Sequence, residues 1–163
     1  MIITQTRHIA VALALVAFAA ASAQAQTATQ TVTFAVNAIN QISFAGAPSL
    51  TITTAVAGSA PTSVTDATAS WAVTTNQTTA KITASIPLAM PAGLTLSSSL
   101  VAPAAATSAG FLALGTVAVD LVTGITKLAQ NALGVTYKLD ATPAAGVVTS
   151  STRVVTYTIT GGT

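Results

Sequence analysis

The stretch Leu133-Gly134-Val135-Thr136-Tyr137-Lys138-Leu139-Asp140 alternates apolar and polar side chains. Leu133, Val135, Tyr137 and Leu139 share one parity, and Thr136, Lys138 and Asp140 share the other. Successive side chains of a strand point to opposite faces, so this pattern predicts a strand with one buried and one wet face. A turn at Thr142-Pro143-Ala144-Ala145-Gly146 follows, and Arg153-Val154-Val155-Thr156-Tyr157-Thr158-Ile159 repeats the alternation with Val155, Tyr157 and Ile159 facing inward.

The same period recurs towards the N terminus. Leu94, Leu96, Ser98 and Leu100 form one set, ahead of a small-residue loop at residues 102–110. Residues 111–114 and 117–122 read as one strand broken near Gly115, or as two. Ile125, Leu128 and Ala129 sit at helical spacing and predict a single helical turn crossing between sheets. Ala69, Trp71 and Val73 read as a strand that Asn76-Gln77-Thr78-Thr79 turns into Ala80, Ile82, Ala84, Ile86 and Leu88, a hairpin ended by Pro87 and the turn Met90-Pro91-Ala92-Gly93. Leu50, Ile52 and Val56 predict a further strand. Val32, Phe34, Val36 and Ala38 predict the first, with Ile42 and Phe44 resuming its parity and Ile39 out of phase, as at a bulge.

Composition agrees with a β reading. From Gln26 onward there are 14 Val, 7 Ile and 28 Thr, β-branched residues that lose rotamer freedom in helices and pack well on a pleated surface. The expected fold is therefore all-β: an antiparallel two-sheet sandwich of Ig-like type with eight to ten strands. A membrane barrel needs aromatic girdles, and the six aromatic residues left, Phe34, Phe44, Trp71, Phe111, Tyr137 and Tyr157, do not supply them. A solenoid needs a fixed repeat, and none is present.

The chain has 163 residues and a mean hydropathy of +0.74, part of which is local. Arg7 and His8 precede an Ala/Val/Leu/Phe run at residues 9–21 and the small-x-small triplet Ala23-Gln24-Ala25. This is the pattern of a signal peptide over residues 1–25, leaving residues 26–163 as a single sandwich domain. The run is too short to cross a bilayer, and Thr, Ser and Gly interrupt every later one. The expected destination is the periplasm, the cell surface or the extracellular space of a bacterium.

From Gln26 onward the chain has no His, Cys or Glu, and Lys81, Lys127, Lys138 and Arg153 face Asp66, Asp120 and Asp140 for a net charge of +1. Nucleophilic hydrolysis of the Ser/His or Cys/His kind lacks its base. The three Asp are isolated among Thr and Ala, with Asp66 expected in a loop, so they form no carboxylate pair or calcium loop. Zinc sites, phosphate cradles and the cationic clusters that bind nucleic acid have no counterpart either. The expectation is a protein that is not an enzyme and carries no cofactor or metal.

Trp71, Tyr137 and Tyr157 lie on the apolar parity of their strands and are expected to be core aromatics, with the tyrosine hydroxyls reaching a backbone carbonyl. The competing reading makes them a platform for sugar rings. Asn76-Gln77-Thr78 fits a glycosylation triplet but reads first as a turn. Threonine-rich faces order water on ice-binding surfaces, yet those arrays need a strict repeat.

Association is the chemistry left. Unguarded sheet edges recruit other strands, and residues 27–44 carry no charge. Val32, Phe34 and Val36 are therefore the candidate strand-addition segment, filling alternate pockets of a neighbouring sheet.

The closing runs Val135-Thr136-Tyr137-Lys138-Leu139, Pro143-Ala144-Ala145-Gly146 and Arg153-Val154-Val155-Thr156-Tyr157-Thr158-Ile159-Thr160 resemble the last strands of bacterial pilin-like and spore-coat-U-like secreted proteins, over about a fifth of the chain. The cysteine pair common in those families is absent. The resemblance implies a surface-fibre subunit completed by a donated strand. The expected function is thus a secreted structural or cell-surface protein, a self-assembling fibre or matrix subunit, with self or other surface proteins as partners. The alternative is an extracellular carbohydrate- or ligand-binding module.

Overall fold

The computed structural model describes residues 24–162, so the expected leader lies outside the described residues apart from Gln24 and Ala25. The chain divides into two units, Met1–Ala35 and Val36–Thr163. In the first, residues 24–35 form neither strand nor helix and are exposed throughout.

The second unit is built on strands. One antiparallel sheet contains β1 (Asn40–Ala45), β2 (Val64–Thr75), β4 (Leu94–Leu100), β6 (Leu112–Ala113) and β8 (Leu128–Ala141), in the order β1-β2-β8-β4-β6. The other contains β3 (Ala80–Ser85), β5 (Thr107–Ser108), β7 (Val119–Ile125) and β9 (Thr156–Thr160), in the order β5-β7-β3-β9. A 3-10 turn at Pro143–Ala145 occupies part of the expected turn after β8.

The stretch from Leu133 to Asp140 lies in β8, paired with β2 on one side and β4 on the other. Its inward residues Leu133, Val135 and Tyr137 join Trp71, Val73, Leu96 and Leu100 from the same sheet. Ala80, Ile82, Ala84, Leu121 and Ile125 of the second sheet belong to the same buried cluster. The small alanines of β3 stand in the same cluster as the Trp71 indole, the large-with-small packing that fills a core without voids.

The connectivity corrects several sequence expectations. From β2 onward every successive strand belongs to the opposite sheet, so β2 and β3 are not a hairpin. In the connection between them, the Gln77 carbonyl accepts from Lys127 N at 2.9 Å, and Thr79 N donates to Thr126 Oγ1 at 3.2 Å. These backbone groups bond to the β7–β8 corner instead of closing a ladder. Thr126 and Lys127 likewise replace the expected helical turn: Lys127 has φ of 40°, and the chain steps from β7 in one sheet to β8 in the other. Helical spacing arose there because Ile125 and Leu128 belong to strands on either side of a corner.

Leu50, Ile52 and Val56 form no strand, although Leu50 packs on the core. Only a bridge between Ala55 and Pro61 forms nearby. The first strand begins at Asn40, not at Val32. Residues 111–122 resolve into two strands in different sheets, β6 and β7.

Candidate functional site

The features able to act lie along the edge where β1 and β9 meet. β1 is bonded only to β2, and β9 only to β3, so each leaves one row of backbone N–H and C=O groups unladdered among the described residues. The two strands approach through side chains. The Phe44 ring stacks on Tyr157 with centroids 3.9 Å apart, and on Trp71 at 6.0 Å. A Cβ on Gly161 would overlap the side-chain amide of Asn40, so the C-terminal end of β9 lies against the start of β1.

Beneath that stack lies a hydroxyl network. The Tyr137 and Tyr157 hydroxyls share a 2.8 Å hydrogen bond, and Tyr157 lies 3.2 Å from Ser98 Oγ. They bond to each other and to a serine, not to the backbone carbonyl expected from sequence. Burial pushes both phenols up from their ordinary value of 10, so each stays neutral and able to donate at any physiological pH. The signal in the sequence was Ser98, a polar residue on the apolar parity of Leu94, Leu96 and Leu100.

Trp71 is 2 % exposed and donates from Nε1 to the Val101 carbonyl at 3.2 Å; Tyr137 is buried and Tyr157 half-buried. A buried indole is expected to emit at short wavelength, resist quenching by iodide and ignore added polysaccharide. Red-shifted, quenchable emission that shifts with a glycan is the result opposed to this placement.

Next to the stack a cleft of about 1190 Å³ opens between the inner face of the larger sheet and the chain leading into β9. Leu94, Leu96, Leu139, Met90 and Val155 supply apolar wall, and Arg153 is the one charged residue among its lining. Arg153 Nη1 donates to Thr152 O at 2.9 Å and Nη2 to Ala89 O at 3.3 Å, while buried Nε has no partner. In the sequence Arg153 is marked only by sharing the inward parity of Val155, Tyr157 and Ile159.

Val32, Phe34 and Val36 are 73 %, 89 % and 78 % exposed. The chain just after them is held by Asn76, whose Oδ1 accepts from Ile39 N and whose Nδ2 donates to Asn37 O, both at 2.8 Å. The amide of the glycosylation triplet is thus occupied in anchoring the entry to β1.

The carboxylates are structural links. Asp66 lies in β2, not in a loop, beside an irregularity in its pairing with β8. The Thr68 hydroxyl, Ser49 N and Thr68 N all donate to it and hold its carboxyl below the ordinary 3.8. Asp140 is likewise lowered, first by the Ser63 hydroxyl and further by Lys138. Asp120 pairs with Lys81 at 3.0 Å. Among the described residues no three His, Cys, Asp or Glu gather as a metal site, and no helix is long and apolar enough to cross a membrane.

A carboxyl with a depressed folded pKa adds stability that is complete above its unfolded value and is lost as pH falls through the folded one. Stability to urea is therefore expected to hold steady above about pH 5 and to fall as acid passes the ordinary carboxyl range. Asp66→Asn is expected to flatten that acid limb; an unchanged limb removes Asp66 as a contributor. Comparison of the chain with family models, with curated proteins and with solved structures returns no match.

Proposed function

We propose that this chain is a secreted, non-enzymatic structural or cell-surface protein, a two-sheet sandwich of Ig-like or pilin-like type that self-associates by strand addition. The observation that carries the reading is the exposure of three apolar side chains at alternate positions, Val32, Phe34 and Val36, in an uncharged segment that forms no strand of its own. Leaving such a row in water is unfavourable by about 25 cal/mol per Å² of apolar surface, and a neighbouring sheet supplies both a cover and hydrogen-bond partners. A chain without imidazole or thiol from Gln26 onward favours recognition over turnover.

The alternative, an extracellular carbohydrate- or ligand-binding module, draws on the cleft beside Tyr157. Sugar-stacking sites present flat aromatic faces to water, whereas Trp71 and Tyr137 are buried and Tyr157 is covered by Phe44. This supports the assembly reading.

Phe34→Asp places a charge in the middle of the apolar row without touching the buried core. Negative-stain microscopy and sedimentation are expected to show polymers from the unaltered protein and only monomers from the variant. Polymers of unchanged length from Phe34→Asp reject strand addition, as does a strictly monomeric unaltered protein at high concentration.

A further inference from the structure

We propose that the cleft beside β9 is a binding site for a medium-chain fatty acid, with Arg153 receiving the carboxylate and the inner face of the larger sheet receiving the alkyl chain. The site lies within the second unit and stands apart from the strand-addition reading, whose donor residues Val32, Phe34 and Val36 are not in its lining.

The lining divides by chemistry. Phe44, Leu50, Ile52, Leu94, Leu139 and Val155 are half-buried and form an apolar wall, while the Ser and Thr side chains among residues 49–54 and 149–152 are exposed and form a wet rim. The alternation of Leu50-Thr51-Ile52 thereby finds its reason. This segment joins no ladder, yet it needs one apolar side towards the cleft and one polar side towards water. It is held in place by Ser49 N, which donates to Asp66 Oδ2, and by Thr62 N, which donates to Thr54 O, both at 2.8 Å. From Leu94 on β4 across β8 and β2 to Phe44 on β1 is three interstrand steps, about 14 Å, room for an alkyl chain of about ten carbons.

Arg153 decides the head group. It is the one charged residue of the lining, it is half-buried, and among the described residues it pairs with no carboxylate. Its bonds go to neutral carbonyls, from Nη1 to Thr152 O at 2.9 Å and from Nη2 to Ala89 O at a long 3.3 Å, and buried Nε has no acceptor. An uncompensated charge and an unpaired donor in an apolar wall are both unfavourable, and a carboxylate answers both through two parallel bonds to Nε and an Nη. Because Nε is shut off from water, the carboxylate is received by a turn of the guanidinium that gives up the long bond to Ala89. A phosphate monoester would bring nearly two negative charges to a single cation flanked by carbonyl oxygens, leaving the surplus stranded. A sugar offers no charge at all, and the Tyr137 and Tyr157 hydroxyls already bond to each other and to Ser98.

Isothermal titration calorimetry of the full chain with sodium octanoate, sodium decanoate, 1-octanol and octyl phosphate tests the assignment. Octanoate is expected to bind one to one and at least about tenfold more tightly than 1-octanol or octyl phosphate. Decanoate is expected to bind about fifteenfold more tightly than octanoate, about fourfold for each methylene at about 0.8 kcal/mol. Arg153→Gln is expected to weaken octanoate at least about tenfold and leave 1-octanol unchanged, a split between head and chain that a misfolded variant would not show. Ile52 lies in no strand and outside the core cluster, so Ile52→Asp is expected to weaken every ligand with an unaltered circular dichroism spectrum. Binding of 1-octanol or octyl phosphate as tight as that of octanoate overturns the carboxylate. Unchanged octanoate affinity in Arg153→Gln overturns Arg153 as its receiver, and the absence of saturable binding overturns the site. Phe34→Asp is expected to bind octanoate like the unaltered protein, whether or not it polymerises; loss of binding there moves the ligand to the assembly contact and overturns the cleft.

Discussion

Replacing Trp71 by alanine is expected to destabilise the protein by about 3–5 kcal/mol, the range seen when a buried large aromatic is truncated. Against a total of about 5–15 kcal/mol for a domain, that loss is a large share of the stability, and at the lower end of the range it unfolds a sizeable fraction of molecules at 37 °C. Three terms add up at this position. The indole is almost fully buried in a core shared by both sheets, so its removal leaves a cavity. The Val101 carbonyl loses its Nε1 donor, and the Phe44 ring loses its neighbour at 6.0 Å. Urea unfolding followed by far-ultraviolet circular dichroism reads the change as a lower midpoint with an unaltered slope. A shift worth less than about 1 kcal/mol would show that the core closes around the gap, contrary to the packing described.

Gly93→Ala is expected to cost nearly as much for a different reason. Gly93 has φ of +80° at the end of the turn before β4, and an L side chain there costs about 1–2 kcal/mol. A Cβ would also come 2.5 Å from Ala145 N and 2.9 Å from Ala145 Cα, backbone atoms of the 3-10 turn that cannot rotate away. Forcing them apart adds about 1–3 kcal/mol. It also strains the 2.8 Å bond from Thr142 N to the Gly93 carbonyl, which ties the two turns at this end of the cleft. Gly58→Ala is the matched control, since Gly58 has φ of +84° with nothing within 4 Å. The difference between the two variants isolates crowding from backbone conformation. Equal destabilisation would remove the close approach as the cause.

At β2 and β3 the sequence pattern and the structure agree on which side chains face inward and differ on which strands pair. Trp71, Val73, Ala80, Ile82 and Ala84 all face the core, as their parity implies, yet the two strands lie in different sheets. A hairpin and an arch between sheets bury the same parity, so alternation cannot separate them. What separates them is where the backbone of the connection finds its hydrogen bonds, and the partners of Gln77 O and Thr79 N lie some fifty residues away at Lys127 and Thr126. Leu50 and Ile52 teach the converse lesson. Their alternation suggests a strand, but no neighbouring strand takes up the ladder, and they serve as cleft wall.

The candidate site was legible in part. The absence of charge over residues 27–44 and the row Val32, Phe34, Val36 are plain in the sequence. Ser98 and Arg153 were visible as polar residues on apolar parity, a mismatch that marks a buried hydroxyl bonded to Tyr157 in one case and a guanidinium with a free donor in the other. Neither residue discloses its partner, because those contacts join strands from opposite sheets.

Taken alone, the order of side chains determined that the chain is β, which parity faces inward within the strands that form, and that no proton-transferring imidazole or thiol follows Gln26. Those properties are local: parity follows from strand geometry and chemistry from residue type. The tertiary structure decided which strands pair, that successive strands change sheets, and that β1 and β9 end as open edges beside a cleft. Pairing depends on which distant backbone groups meet once the core has closed, and nothing within a strand's own few residues encodes that choice.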